Sequence, residues 1–184
     1  MSSALIVIDV QRGLFDGAPR PFEADLVVDR IDALAGRARG AAVPVVFVQH
    51  ENACDQLEAF TAPWELVEGL HPQPGDLRIR KTTPDAFLRT GLAELLEKRG
   101  VRRVVLCGYA SEFCVDTTAR RAAALGYEVV LAADAHTTHD KAHLGAGPIR
   151  AHHNATLADI SSFGPRITAV PAARIAFGEE RLER

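Results

Sequence analysis

The sequence predicts an α/β fold of three layers, α/β/α, with a mostly parallel, open sheet of five to six strands. Short apolar runs, each of a length suited to one buried strand, alternate along the chain with stretches whose apolar residues recur at helical spacing. Strands that alternate with helices in this way form a parallel sheet with helices on both of its faces. The 184 residues show no internal repeat and predict a single domain over residues 1–184.

The first half of the chain is predicted to contain two buried strands with one helix between them. The strands are the apolar runs at residues 4–9 and 43–50, and Gly40 ends the helical pattern that separates them. Residues 51–80 contain three prolines and are interpreted as one long irregular loop. Because this loop is longer than a connection requires, we expect it to serve the function of the protein.

The second half continues the alternation and starts with a predicted helix. Thr83, Pro84 and Asp85 offer a capping hydroxyl, a proline for the first helical position and an acid for the first turn. Gly100 ends this helix. The remaining strands are predicted at 101–108, 127–134 and 166–170, and the remaining helices at 111–126 and around 148–157.

The composition excludes several classes of function. The formal net charge of −3 gives no basic surface for nucleic acid or for an anionic membrane, so neither partner is expected. No apolar run approaches the roughly 18 residues that a membrane span requires, and the first residues lack the basic segment of a signal peptide. The three cysteines form no CxxC pair, which favours a reducing compartment, and we therefore expect a cytoplasmic protein.

Three residues are candidates for chemistry at the edge of the sheet where the strands end: Asp9, Lys81 and Cys114. Each also has a plain structural interpretation, as a turn acid, a solvated cation and a small apolar core residue respectively. If Ser111 caps the helix that follows, Cys114 is its third residue, where the helix dipole and free amides favour a thiolate. The carboxylate of Glu112 in the same turn opposes that effect.

Taken together, the three residues can form one site for attack on a carbonyl group. The acid takes the thiol proton, the cation stabilises the ionised acid, and the thiolate attacks the carbon. Free N–H groups in the turn 108–114 can then receive the negative charge that develops on the oxygen.

The segments around these residues resemble one known family over most of the chain. They are ALIVIDVQRGLF, VVFVQHEN, WELVEGLHPQPGD, RKTTPDAF, CGYASEFCVDTTARRAAALGYEVVLAADAHTT and AHHNATL, and they are similar to the isochorismatase-like cysteine hydrolases. The resemblance implies that Asp9, Lys81 and Cys114 are the catalytic triad. It also implies a cis peptide bond between Tyr109 and Ala110, an oxyanion hole formed by the amides of Ala110 and Cys114, and a homo-oligomer, a dimer or larger.

The presence of Cys114 distinguishes the branches of this family. Isochorismatases that cleave a vinyl ether look similar but lack the cysteine, so we expect a hydrolase that cleaves the C–N bond of a small amide, carbamoyl or ureido compound through a thioester. Two alternatives stay open: vinyl-ether hydrolysis with Asp9 as the acid, and a protein that binds a small ligand or acts through its thiol without turnover. The missing CxxC pair argues against dithiol redox chemistry.

No metal or other cofactor is expected. Nicotinamidases of this family bind a metal through an aspartate and histidines after the second strand, whereas QHENACDQLEAF, which begins at Gln49, has no Asp-x-His spacing. The histidines of DAHTTHDKAH, which are His136, His139 and His143, are interpreted as loop residues without a metal. The histidines of AHHNATL, His152 and His153, are interpreted as residues of helix packing or of a subunit contact.

The substrate pocket is expected to take residues from the end of the first strand, the long loop and the cysteine turn. Aromatic side chains supply apolar contact area in such pockets. The predicted contacts are Gln11, Phe15, Trp64 and Tyr109. For Trp64, a role as a loop anchor is an equal alternative. Cys107 is expected in the core, and Cys54 is expected to have no role.

Overall fold

A computed structural model describes residues 2–53 and 56–177 of the chain. The strands are β1 Ser3–Ile8, β2 Val45–His50, β3 Leu77–Lys81, β4 Arg103–Tyr109, β5 Glu128–Thr137 and β6 Ile167–Val170. The helices are α1 Arg12–Phe15, α2 Ala24–Gly40, α3 Leu92–Lys98, α4 Asp116–Ala124 and α5 Ala146–Asp159, with a π-helical segment at Ser111–Val115 and 3-10 turns at Ala62–Trp64 and Ala172–Arg174. Within the described ranges, no helix is both long and apolar enough to cross a membrane.

All of these strands pair in parallel in one sheet, in the order β3-β2-β1-β4-β5-β6. β1 lies near the middle and is buried over its whole length, and its side chains alternate between the two faces. Leu5 and Val7 pack under α2 on one face, whereas Ile6 and Ile8 pack under α3, α4 and α5 on the other. The predicted three-layer fold with an open parallel sheet is confirmed, with six strands in the described part of the chain.

The interpretation of residues 51–80 as one irregular loop is wrong at its C-terminal end. Leu77–Lys81 forms β3, the edge strand that pairs with β2. Its side chains alternate between half-buried aliphatic residues and exposed arginines, and the strand ends at the buried Lys81. Because the two arginines interrupt the apolar run, only the period of two indicates a strand here. Charged side chains of this kind are common on edge strands, where they oppose pairing with other chains.

The predicted helix start at Thr83 is also wrong, since α3 begins at Leu92. The side chains that suggested a cap bond to the nearby main chain of a turn instead. Asp85 accepts a hydrogen bond from the N–H of Phe87 (2.8 Å), and Thr83 donates its hydroxyl to the carbonyl of Asp85 (3.0 Å). Aspartate and threonine favour such local bonds in turns as strongly as in helix caps, so the pattern alone does not separate the two structures.

The C-terminal part of β5 extends past its predicted end. The strand continues from residue 134 to Thr137, and this places His136 inside a buried strand rather than in a loop. β5 pairs with β4 again at this end, through Gly108 with His136 and Tyr109 with Thr137. The extension therefore joins the loop after β5 to the turn that carries Cys114.

Candidate active site

The candidate site lies at the carboxyl edge of the sheet. Asp9 directly follows β1 in a left-handed conformation (φ 51°) and is buried. Lys81 is the last residue of β3, and Cys114 lies in the π-helical segment that follows β4. Because β2 lies between β3 and β1, the long side chain of Lys81 crosses the end of β2 to reach Asp9.

The side chains of the three predicted catalytic residues meet at the ammonium group of Lys81. Its Nζ atom donates to Oδ2 of Asp9 at 2.6 Å and to Sγ of Cys114 at 3.3 Å. The Lys81 and Asp9 side chains are only 0% and 2% exposed. Oδ1 of Asp9 is buried and has no hydrogen-bond partner in residues 2–53 and 56–177. A carboxylate oxygen of Asp9 lies within 4.8 Å of Sγ, so the site holds an acceptor for the thiol proton.

The electrostatics of the site keep the thiol of Cys114 protonated. Burial raises the pKa of this thiol from its ordinary value of 9.0 to about 12. The carboxylate of Asp9 adds to the rise in pKa, and the ammonium of Lys81 opposes it. At neutral pH the thiol is therefore present as S–H, and a nucleophilic role requires a base to remove its proton.

The helical segment that contains Cys114 does not start in the way that the sequence predicted. The cap position of the π-helical segment is Ala110, and Cys114 is the fourth residue of the segment. Ser111 makes no side-chain capping bond, because its hydroxyl pairs with Nδ1 of His136 at 2.8 Å. The expected effect of a capped helix N-terminus on the thiol is therefore outweighed by burial.

The turn between β4 and the cysteine segment passes close to β1. Gly108 has a φ of 117°, and a Cβ atom at this position would lie 2.0 Å from the carbonyl oxygen of Ile8. Only glycine fits both this conformation and this contact. The Tyr109–Ala110 peptide bond is cis, as the family resemblance implies.

Hydrogen bonds onto the carbonyl of Ala110 hold the main chain of this turn. The carbonyl oxygen of Ala110 accepts hydrogen bonds from the amides of Phe113 (3.0 Å) and Val115 (3.1 Å). In the part of the chain that the structure describes, the amides of Ala110 and Cys114 donate to no turn or loop carbonyl. They are the two amides that the resemblance assigns to the oxyanion hole.

Glu112, whose charge the sequence placed close to the thiol, is compensated by neighbours. Its carboxylate pairs with Nζ of Lys141 at 3.0 Å and accepts a hydrogen bond from the hydroxyl of Thr138 at 2.8 Å. Both partners follow β5 in the chain. The ion pair with Lys141 weakens the repulsion that the carboxylate would exert on a developing thiolate.

Gln11 is buried and bonded to main chain on three sides. Its Oε1 accepts from the N–H of His50 at 2.8 Å, and its Nε2 donates to the carbonyls of His50 and Trp64, both at 2.9 Å. Both amide hydrogens are thus in use. The structure shows Gln11 as a clamp between β2 and the loop after it, and its contact with substrate stays a prediction.

Of the three aromatic residues expected in the pocket, two lie at the cysteine turn and one packs within the loop after β2. Phe15 is buried and packs edge-to-face on Tyr109, with ring centroids 5.8 Å apart. The half-buried Tyr109 pairs its hydroxyl with Nδ1 of His139 at 2.8 Å. Trp64 is buried against Phe60, with ring centroids 5.2 Å apart, which fits the alternative of a loop anchor. Phe15 and Tyr109 adjoin the cysteine turn, and their substrate contacts stay predictions.

One residue of this site, His50, was missed by the sequence analysis. Nζ of Lys81 lies 3.1 Å from Nδ1 of His50, and Nε2 of His50 lies 2.8 Å from Oδ1 of Asn52. His50 ends β2 and pairs in register with Lys81 across the sheet. The signal that identified Asp9, a polar residue directly after a buried strand, applies equally to His50 and could have found it.

The remaining histidines and cysteines lie away from this cluster. His136 bonds to Ser111 and Asn154, and His153 to Asp116. Cys107 is buried in the core, and Cys54 lies outside the described residues. Among the described residues, Asp9, His50 and Cys114 form the one group with a possible metal-ligand geometry, and the Lys81 ammonium contacts all three side chains.

Comparison with known proteins identifies the family. The family model described as the isochorismatase domain matches residues 3–168. The chain belongs to the isochorismatase family. This confirms the predicted resemblance to the isochorismatase-like cysteine hydrolases, and an isochorismatase from Pseudomonas putida KT2440 shares the fold, with a TM-score of 0.87 and 30% identity over 95% of this chain and 90% of that chain.

Two relatives of this isochorismatase-family protein carry the names of enzymes, a streptothricin hydrolase and a nicotinamidase. A streptothricin hydrolase from Streptomyces noursei is 40% identical over 178 residues, which are 96% of this chain and 60% of the relative. The present chain therefore spans about 60% of the length of that relative. Nicotinamidase 3 from Arabidopsis thaliana is 31% identical over 74% of this chain and 73% of its own.

Proposed function

We propose that the protein is a cysteine hydrolase that cleaves a C–N bond of a small amide, carbamoyl or ureido compound through a thioester. The observation that carries this proposal is the buried contact of one ammonium, on Lys81, with both a carboxylate and a thiol. A cation that bonds to both a base and a nucleophile, with the base within 4.8 Å of the nucleophile, supplies the parts that nucleophilic acyl transfer requires.

The first step is attack by sulfur on the substrate carbonyl carbon. Oδ1 of Asp9 accepts the proton of the Cys114 thiol as the S–C bond forms. Because the thiol has a pKa of about 12, proton transfer to Asp9 accompanies the attack and a resting thiolate is not required. Lys81 stays close to both charges and stabilises the sulfur as it becomes anionic.

The tetrahedral intermediate carries its negative charge on the former carbonyl oxygen. The amides of Ala110 and Cys114, which the family resemblance assigns to the oxyanion hole, are the proposed donors to this oxygen. The carbonyl of Ala110 is held by two hydrogen bonds from the following segment, so the peptide units of the turn are fixed in advance. Fixed donors stabilise the intermediate without reorganisation during the reaction.

Collapse of the intermediate breaks the C–N bond. The protonated Asp9 gives its proton to the departing nitrogen, which leaves as ammonia or an amine, and a thioester on Cys114 remains. Asp9 is then again a carboxylate and takes a proton from water as the water oxygen attacks the thioester carbon. The second tetrahedral intermediate releases a carboxylic or carbamic acid, and the sulfur recovers the proton from Asp9.

The names of the relatives support a small amide as the substrate. A streptothricin hydrolase and a nicotinamidase are both similar to this chain over most of its length, and the name of the second indicates cleavage at an amide. The apolar contact of Phe15 and Tyr109 beside the cysteine turn suits a compact, partly apolar group.

The test is a panel of candidate substrates, with release of ammonia or amine as the readout for the nitrogen compounds and consumption followed by mass spectrometry for isochorismate, which contains no nitrogen. The panel includes nicotinamide, carbamoyl amino acids, ureido acids, biuret and a streptothricin, with isochorismate as the vinyl-ether comparison. We expect at least one amide or ureido compound to be hydrolysed, and added hydroxylamine to intercept the thioester as a hydroxamate. Cleavage of isochorismate alone, or no hydroxamate from a hydrolysed amide, would contradict the proposal.

A further inference from the structure

We propose that His50 is a positioning residue that fixes the ammonium of Lys81 between Asp9 and Cys114, and that Asn52 fixes the ring of His50. The inference rests on the proposed function and adds two residues to its machinery. Neither residue was predicted from the sequence to belong to the site.

The ammonium of Lys81 has three hydrogens, and three acceptors surround it. They are Oδ2 of Asp9 at 2.6 Å, Nδ1 of His50 at 3.1 Å and Sγ of Cys114 at 3.3 Å. An ammonium group is a donor only, so each of its partners must accept. With two acceptors one N–H of the buried ammonium would have no partner, whereas the third acceptor pairs it and restrains the position of Nζ between the carboxylate and the sulfur.

The acceptor role defines the protonation state of His50. If Nδ1 accepts a hydrogen bond from Lys81, the ring is neutral and its hydrogen is on Nε2. That hydrogen is the one that faces Oδ1 of Asn52, 2.8 Å away, which can only accept. Both contacts therefore require the same tautomer, and an imidazolium ring would place an N–H group against the ammonium.

The main chain of His50 is fixed as firmly as its ring. Its N–H donates to Oε1 of Gln11, and its carbonyl accepts from Nε2 of Gln11. His50 also lies opposite Lys81 in the register of β2 and β3. Gln11 thus sets the position of His50, and His50 sets the position of the Lys81 ammonium.

The charged groups around the ring are paired with partners other than His50. Asp9, which follows β1, pairs with Lys81, and Glu51, the next residue after His50, pairs with Arg80 of β3 at 2.6 Å. The thiol of Cys114, from the segment after β4, is protonated at neutral pH. Neither carboxylate bonds to the His50 ring, which fits the neutral tautomer.

The first test observes the tautomer directly. Protein labelled with ¹⁵N-histidine is studied by two-dimensional NMR near neutral pH, and the His50 signals are assigned by their loss in the His50→Asn variant. We expect Nδ1 to be unprotonated and Nε2 to be protonated. A hydrogen on Nδ1, or an imidazolium ring, would overturn the proposal.

The second test measures alkylation of Cys114 by iodoacetamide, followed by peptide mass spectrometry. His50→Leu removes the acceptor for Lys81 while the leucine side chain fills the space. We expect the alkylation rate of this variant to be about tenfold lower, because one charge-assisted hydrogen bond is lost. His50→Asn places an amide oxygen where Nδ1 was and should stay within about threefold of the unsubstituted protein. His71→Leu, an exposed histidine of the β2–β3 loop, is the matched control and should leave the rate unchanged.

Asn52 is tested through its coupling to His50. Asn52→Leu should lower the alkylation rate less than His50→Leu does. Because Asn52 acts only through the histidine, the double variant should react at the rate of His50→Leu alone. Additive losses, or equal rates for His50→Leu and His50→Asn, would contradict the positioning role. Neither test requires turnover, so failure here is distinct from failure of the proposed hydrolase function.

Discussion

Nζ of Lys81 lies 2.6 Å from Oδ2 of Asp9, in an ion pair whose side chains are almost completely withdrawn from solvent. Removing two such charges from water is costly unless both are bonded, and each partner compensates the other. The pair joins the ends of β3 and β1, which are not neighbours in the sheet. The pair therefore has a structural role, since it joins two strand ends, and a role in the proposed chemistry. Experiments can separate these two roles.

Replacing Lys81 with methionine should destabilise the protein strongly. The substitution leaves the carboxylate of Asp9 buried without its counter-ion, and the loss of one partner of a buried pair costs about 3–5 kcal/mol in the free energy of unfolding. Urea denaturation followed by circular dichroism measures this. Lys98→Met is the matched control: its pair with Glu94 is exposed on α3, and its loss should cost less than about 1 kcal/mol. Equal losses in the two variants would refute the importance of the buried pair.

Replacing Gly108 with alanine should prevent the turn from forming as it does. The new Cβ atom would meet the carbonyl oxygen of Ile8 at 2.0 Å, and φ is 117°. We expect a loss of at least about 3 kcal/mol in the free energy of unfolding, together with loss of any hydrolysis.

Gly36→Ala provides the contrast, since Gly36 is exposed in the middle of α2 and a Cβ atom there meets nothing within 4 Å. Alanine in a helix interior is favoured over glycine, so this variant should gain up to about 1 kcal/mol. Thermal unfolding of both variants checks the pair, and a Gly108→Ala protein as stable as the parent would disprove the contact.

The buried His136 should make the folded protein less stable as the pH is lowered. Burial lowers the pKa of this histidine from 6.5 to about 4. Between these values the unfolded chain binds a proton that the folded protein does not, so the free energy of unfolding decreases as the pH falls. The slope attributable to this one group is about 1.4 kcal/mol per pH unit. Denaturation curves from pH 4 to pH 7 should show a shallower slope for His136→Asn, and equal slopes for the two proteins would argue against the buried neutral ring.

The sequence was sufficient for those parts of the fold that depend on local pattern. The buried runs that became β1, β2 and β4 are short and apolar, and helix α2 has regular apolar spacing that Gly40 ends. It was not sufficient for β3, because Arg78 and Arg80 interrupt the apolar signal of an edge strand. Nor did it separate a turn from a helix start at Thr83, since both conformations satisfy the same polar side chains.

In the site, too, local sequence pattern predicted some residues and not others. Asp9, Lys81 and Cys114 were identified as candidates from their places at strand ends and helix starts, and the resemblance to a family assigned them to one catalytic triad. The role of His50 depends on the register between β2 and β3, which sets it opposite Lys81. Register follows from contacts across the whole sheet, so local sequence does not contain it. The pKa of the thiol was likewise missed, because burial depends on packing that a helix-start pattern does not reveal.

The most direct test of the central claim is turnover by the Cys114→Ala variant, measured on whichever amide the parent protein hydrolyses. Cys107→Ala is the matched control, because Cys107 is a buried core thiol remote from the site chemistry. We expect a folded Cys114→Ala protein whose kcat is lower by at least about a thousandfold, and a Cys107→Ala protein that keeps its turnover. A Cys114→Ala protein that retains most of the activity would contradict a cysteine nucleophile and would favour chemistry by Asp9 alone.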